Sequence, residues 1–191
     1  MPNWCDTEYA VIGPKEQLIK LFNTLRILED IPCPGLVDND FGSTWLGNLV
    51  SSLGENPQSI GRCRGFWHGL LLGDNKLTFF TTTAWCEADD TRKLIERRFP
   101  GVKLYYMSEE FGCGYWVTND ITGKFFPERY YIQGNQKESC WFENLSSLIV
   151  FAEEYSHTTG LNTFEDCVNA IRTVSQSYSD YPYIQVVTIQ D

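Results

Sequence analysis

A cysteine and a histidine are the residue types from which a reactive thiolate can be built, and Cys86 and His68 are the pair that could act so here. Catalysis would need the imidazole within hydrogen-bond reach of the thiol, so that it can take the proton. His68 stands in the apolar run FWHGLLL. A buried, small cysteine and a structural histidine explain the same residues, and we favour that interpretation.

Pro2 is the second candidate for chemistry. If Met1 is removed, Pro2 carries a free secondary amine, which can act as a base in a tautomerase-like enzyme. Enzymes of that kind also begin with a strand at the N-terminus, but they are usually much shorter chains. We find no matching set of arginines in this sequence. We therefore regard Pro2 as a weak catalytic candidate.

Neighbouring carboxylates occur at Glu109 and Glu110, in the segment SEEFG. Because consecutive residues of a strand point to opposite faces, these two are poorly placed to act as a catalytic pair. No metal-binding, phosphate-loop, dinucleotide or nucleophile-elbow pattern occurs in the sequence. We expect no metal and no cofactor.

Aromatic residues make up 15% of the chain, with six tryptophans. Most of them are expected to fill the core between sheet and helices. An aromatic patch that remains exposed would be a protein-binding surface. We single out Trp45 and Trp85, together with Glu109 and Glu110, as candidate binding residues.

The net charge is −10, which disfavours direct binding of nucleic-acid phosphates. The basic segments GRCRG and ERR are too short to form the extended basic surface that binds nucleic-acid phosphates and releases their counterions. An acidic protein of this kind suits a basic protein partner. With seven cysteines, an odd number, and no C-x-x-C, we expect reduced thiols and a cytoplasmic location. No apolar run is long enough for a bilayer, and no secretory signal is recognised, so we expect no membrane association.

The order of elements predicts an α+β fold. A strand at residues 5–13 is followed by an amphipathic helix at 14–28, in which the apolar residues recur on one face. Two strands around the turn GDN, a helix at 89–99 and a further strand come next. Strand–helix–strand–strand–helix–strand is the order of a ferredoxin-like fold, an antiparallel sheet with both helices on one face.

The remainder of the chain predicts a helix–helix–strand extension to that core. GYWVTND and KFFPERYYIQG are expected to form a further hairpin. The second helix of the extension begins in a capping box, with Thr163 as N-cap and Asp166 three residues later. No linker divides the sequence, so we predict a single domain over 1–191, with the core at about 1–119 and the extension at about 120–191. A separate small subdomain is the alternative.

Three segments resemble the YubB/Api-type proteins of plasmids and phages, which are described as having a ferredoxin-like domain. They are the opening MPNWC, the segment FGSTW, where Thr44 replaces a lysine, and the block from LTFFTTTAW to FGCGYW. CEADD stands where that family has a proline-containing stretch. The resemblance covers about residues 1–13 and 41–118. It implies the fold and a mobile-element context, and it transfers no catalytic residue, because the family has no assigned activity.

On the same resemblance, Trp4 and Cys5 are expected to lead into an inner strand, with both side chains anchored in the core. For function, we expect a non-enzymatic cytoplasmic accessory protein of a mobile genetic element, which binds a protein partner. The alternative is a small cofactor-independent enzyme that uses Pro2 or the Cys86–His68 pair.

Overall fold

The computed structural model describes residues 3–32, 35–61, 63–133, 139–174 and 183–190. The chain divides into two compact units, Met1–Asn119 and Asp120–Gln190. Both units contain helices and strands, so the fold class is α+β. The single domain over 1–191 stays a prediction.

The first unit contains an antiparallel sheet whose strands lie in the order β2-β3-β1-β4-β5. Its strands are β1 (Trp4–Ile12), β2 (Gly65–Leu72), β3 (Leu77–Ala84), β4 (Lys103–Glu110) and β5 (Tyr115–Thr118). β1 is central, because the hydrogen-bonded ladders of β3 and β4 flank it on either side. The sheet therefore places the N-terminal strand in the middle of the unit.

Helices α1 (Lys15–Glu29), α2 (Leu46–Ser52) and α3 (Asp89–Arg98) belong to this unit. A 3₁₀ turn covers Phe111–Cys113. One face of the sheet and the apolar faces of all three helices share a single buried core. It includes Tyr9, Phe79 and Tyr106 from the strands, and Leu21 and Leu94 from the helices. On the opposite face of the sheet, the β1 residues Trp4, Asp6 and Glu8 are exposed.

The second unit contains β6 (Tyr130–Gln133), β7 (Cys140–Phe142), α4 (Leu145–Ser156), α5 (Phe164–Thr173), β8 (Tyr183–Val186) and β9 (Thr188–Ile189). β6 pairs antiparallel with both β7 and β8. The predicted capping box is present: the Thr163 side chain accepts from the Asp166 backbone N–H, and the Asp166 carboxylate accepts from the backbone N–H of Thr163. The sequence predicts this helix over TFEDCVNAIRTVSQSYS, and the part of that segment beyond Val174 lies outside the described residues.

Two expectations from the sequence are wrong. Trp4 is 42% exposed, whereas Cys5 is fully buried, because alternate residues of β1 face opposite sides of the sheet. The hairpin expected from GYWVTND and KFFPERYYIQG does not form. β5 pairs with β4 in the first unit, and β6 pairs with β7 and β8 in the second.

Candidate functional site

Asp6 lies at the centre of the sheet face that points away from the core. In the strand register it stands opposite Thr82 of β3 on one side and Glu109 of β4 on the other. Thr82 Oγ1 donates a hydrogen bond to Asp6 Oδ1 over 2.7 Å. The next residue on the same face of β1, Glu8, stands opposite Phe80. We call Trp4, Asp6, Glu8, Phe80, Thr82 and Glu109 the acidic face.

Two carboxylates are adjacent on the acidic face, and they influence each other. Burial raises the pKa of Glu109, and the negative charge of Asp6 raises it further. Lys103 belongs to the same face of β4, but its ammonium forms an ion pair with Glu96 of α3, with 3.6 Å between Nζ and Oε1. The face therefore gathers negative charge that would be stabilised by an incoming cation.

Two large apolar side chains flank these carboxylates. Trp4 is 42% exposed and Phe80 is 37% exposed. The ring of Trp4 meets Phe41 edge to face, with centroids 6.2 Å apart, so its orientation is supported. Exposed aromatic rings next to carboxylates can bind a cationic side chain through their faces as well as by charge.

His68 lies on the same side of the sheet, in β2. Its ring stacks on Phe80 at 5.6 Å between centroids, and its Nε2 is 3.5 Å from Thr82 Oγ1. Thr82 Oγ1 already donates to Asp6, so it can only accept from His68, which requires the tautomer with a proton on Nε2. His68 thus extends the polar row from β2 to β4.

Cys86 and Trp85 lie together elsewhere, at a cleft of about 260 Å³ between the end of β3 and the start of α3. Gly61, Arg64, Thr83, Ala84 and Ala88 complete its lining. Thr83 faces the core side of the sheet, whereas His68 projects from the other side. Trp85 and Cys86, which are consecutive in the sequence, both line this cleft, and His68 is not among its lining residues.

Glu110 serves a local turn. Its carboxylate accepts backbone hydrogen bonds from Gly112 at 3.1 Å and from Cys113 at 2.6 Å. The Cys113 thiol also bonds to this carboxylate, and this bond contributes most to lowering the pKa of Glu110. The same bond raises the pKa of Cys113. Glu109 and Glu110 consequently have separate environments, as expected for neighbours in a strand.

The remaining candidates are Trp45 and Pro2. Trp45 precedes α2 and forms an isolated bridge with Phe66 of β2. Its ring lies on Gly47, where an added Cβ would come within 2.3 Å of the indole. Trp45 is half-buried and so has a packing role as well as any binding role. Pro2 lies outside the described residues.

Sequence reasoning missed a buried polar cluster in the first unit. Arg92 Nε donates to Glu87 Oε1 at 3.1 Å, and the Tyr9 hydroxyl donates to the same oxygen at 2.7 Å. The guanidinium also lies over the ring of Tyr106, 5.1 Å from its centroid. Burial raises the pKa of Glu87, and the charge of Arg92 opposes that shift.

One sequence signal could have located this cluster. Arg92 precedes Ile95 by three residues and Phe99 by seven, so the helical period places it on the apolar face of α3. An arginine on such a face needs a buried partner. The nearest acid before the helix is Glu87.

Within the described ranges, no three His, Cys, Asp or Glu side chains gather where they could hold a metal ion. No helix in the described part of the chain has both the length and the apolar character needed to cross a bilayer. No family model, no curated protein and no solved structure matches this chain.

Proposed function

We propose that this chain is a non-enzymatic accessory protein that binds a partner protein, and that the acidic face receives a basic segment of that partner. The observation that carries the proposal is the placement of Asp6, Glu8 and Glu109 between two exposed aromatic rings, those of Trp4 and Phe80. Lysine and arginine side chains would pair with the carboxylates of Asp6 and Glu109 and lie against the rings.

Charge complementarity selects the occupant. The chain carries 25 acidic and 15 basic residues, so a basic partner is attracted to the molecule before contact. A nucleic acid would bring phosphates towards Asp6 and Glu109, where like charges repel. An acidic or purely apolar protein segment would desolvate the carboxylates of Asp6 and Glu109 without bringing a counter-charge.

The biological setting that we propose is the cytoplasm of a host that carries a plasmid or phage, as the resemblance to YubB/Api-type proteins implies. A ferredoxin-like arrangement of the first unit belongs to the same proposal. It is supported by the order β1-α1-α2-β2-β3-α3-β4 along the chain, in which the short α2 is an addition, and by the neighbour order β2-β3-β1-β4 in the sheet. The alternative, a small enzyme using Pro2 or Cys86 and His68, stays a prediction.

The proposal is tested by titrating the isotope-labelled full chain with an arginine hexapeptide and recording backbone NMR shifts. We expect the largest shifts at Asp6, Glu8, Phe80 and Glu109. The double variant Asp6→Asn/Glu109→Gln should weaken binding by about tenfold or more, since each lost charge-assisted contact contributes roughly 1 kcal/mol. Raising the salt concentration should weaken binding to the unmodified chain.

The matched control is Asp38→Asn/Asp74→Asn, which makes the same change in net charge at two exposed positions that are not part of the acidic face. If this control weakens peptide binding as much as the face variant does, the attraction is diffuse and the proposed surface is wrong. Stronger binding of a single-stranded oligonucleotide than of the peptide would also overturn the proposal.

A further inference from the structure

The cleft of about 260 Å³ beside Trp85 has the features of a small-molecule site. We propose that it binds a small planar aromatic carboxylate, with the ring on Trp85 and the carboxylate on Arg64. This inference is independent of the acidic face, because Trp85, Arg64 and the rest of the cleft lining are not among the residues that define that face.

Trp85 supplies the stacking surface. Its φ is 75°, a left-handed conformation that a bulky residue adopts only at an energetic cost. The backbone N–H of Trp85 donates to the carbonyl of Asn3 over 2.9 Å, which helps to hold this conformation. The side chain is 54% exposed even so. The fold thus retains a costly conformation that presents an indole face at the cleft.

Arg64 supplies the charge. It is exposed, and no ion pair or hydrogen bond of its side chain occurs among the described residues. A guanidinium binds a carboxylate with two parallel hydrogen bonds, a geometry that a point charge does not reproduce. Asp90 lies beside Gly61 of the cleft lining, with its Oδ2 3.1 Å from the position of a Cβ on Gly61. That carboxylate repels an anion, so the ligand's acid group must lie towards Arg64.

The size and the floor of the cleft limit the ligand further. Its volume is slightly below the roughly 300–1,000 Å³ that is usual for drug-sized ligands. One ring system with one short acid group therefore fits. Ala84, Ala88 and Cys86 give the cleft small side chains, which suit a flat ring better than a branched chain. The hydroxyl of Thr83 is already bonded to the carbonyl of Cys86 at 2.7 Å.

The test uses 1-naphthoate as the probe and its neutral amide, 1-naphthamide, as the matched comparison. Each is added to the full chain at up to about 10 mM, above the millimolar affinity expected of so small a ligand. The indole N–H signal of Trp85, assigned with the Trp85→Phe variant, reports binding by NMR. We expect naphthoate to shift this signal and naphthamide to bind about tenfold more weakly, since one charged pair is lost.

Arg64→Gln should weaken naphthoate binding by about tenfold and bring it level with naphthamide. Arg97→Gln is the matched control, because Arg97 is also an exposed arginine and lies in the last turn of α3. It should leave the affinity unchanged. Three outcomes overturn the inference: no shift of the Trp85 signal, equal binding of the acid and the amide, or equal loss in the two arginine variants.

Discussion

The carboxylate of Glu87 and the guanidinium of Arg92 form an ion pair at 3.1 Å inside the first unit, with 3% and 4% of their side chains exposed. Tyr9 donates a hydrogen bond to the same carboxylate, and Tyr106 lies under the guanidinium. The cluster thereby joins β1, the start of α3 and β4. Each member compensates the burial of another, so removing one leaves a group without its partner.

Arg92→Met should destabilise the protein by about 3–5 kcal/mol, because it leaves the Glu87 carboxylate buried without its cation. Methionine keeps much of the volume and the apolar stem of arginine. The measurement is urea unfolding of the variant and the unmodified chain at neutral pH. Arg97→Gln, at an exposed site, should change the free energy of unfolding by less than about 0.5 kcal/mol.

The double variant Arg92→Met/Glu87→Leu gives the decisive comparison for the same pair. Replacing both charges by apolar groups removes the unpaired carboxylate, so most of the lost stability should return. If the double variant is as unstable as Arg92→Met alone, the cost comes from packing, and the electrostatic explanation is wrong.

Trp4→Ala should cost less than about 1 kcal/mol in stability, because Trp4 is exposed and leaves no cavity in the core. It should nevertheless weaken binding of the arginine hexapeptide several-fold, as one of the two rings of the acidic face is lost. Thermal unfolding and the NMR titration measure the two effects. A loss of about 3–5 kcal/mol would instead mean that Trp4 is packed as a core residue.

The exposed position of Trp4 could not be predicted from the sequence. The alternation in β1 predicts a strand, but it does not tell which set of residues faces the core. The inner set includes the polar Thr7, whose hydroxyl is 2.7 Å from that of Ser108 on β4. Ser108 also lies 3.0 Å from the Cys5 sulfur. These partners are about a hundred residues away in sequence, so the choice of face rests on contacts that spacing does not reveal.

Structural features set by neighbouring residues were predicted correctly more often than features that depend on contacts between distant segments. The capping box at Thr163 and Asp166 was predictable because both hydrogen bonds close within four residues. The hairpin expected from β5 and β6 was wrong because pairing partners are chosen across the whole fold. The cleft beside Trp85 was not predicted, although Trp85 and Cys86 were both singled out, because Arg64 joins its lining from 21 residues earlier in the sequence.

The stability contributed by Glu109 should fall as the pH rises. Its pKa is raised above the usual 4.5 by burial and by Asp6, so the folded state binds a proton that the unfolded state has already released. The loss begins near the unfolded pKa and is complete above the raised one. Asp6→Asn removes the repulsion and should reduce this loss. Melting temperatures from pH 4 to 7 measure it, and an identical pH dependence in both proteins would contradict the coupling.

Cys113 should react slowly with iodoacetamide at neutral pH although it is exposed. The bond to Glu110 raises its pKa, and the reactive species is the thiolate. Glu110→Gln keeps an acceptor oxygen for the turn but removes the negative charge, so labelling of Cys113 should become about three- to tenfold faster. Peptide mass spectrometry measures the rate, with Cys5, whose pKa burial raises to about 11, as the unreactive internal control. An unchanged rate would show that access, not charge, limits this thiol.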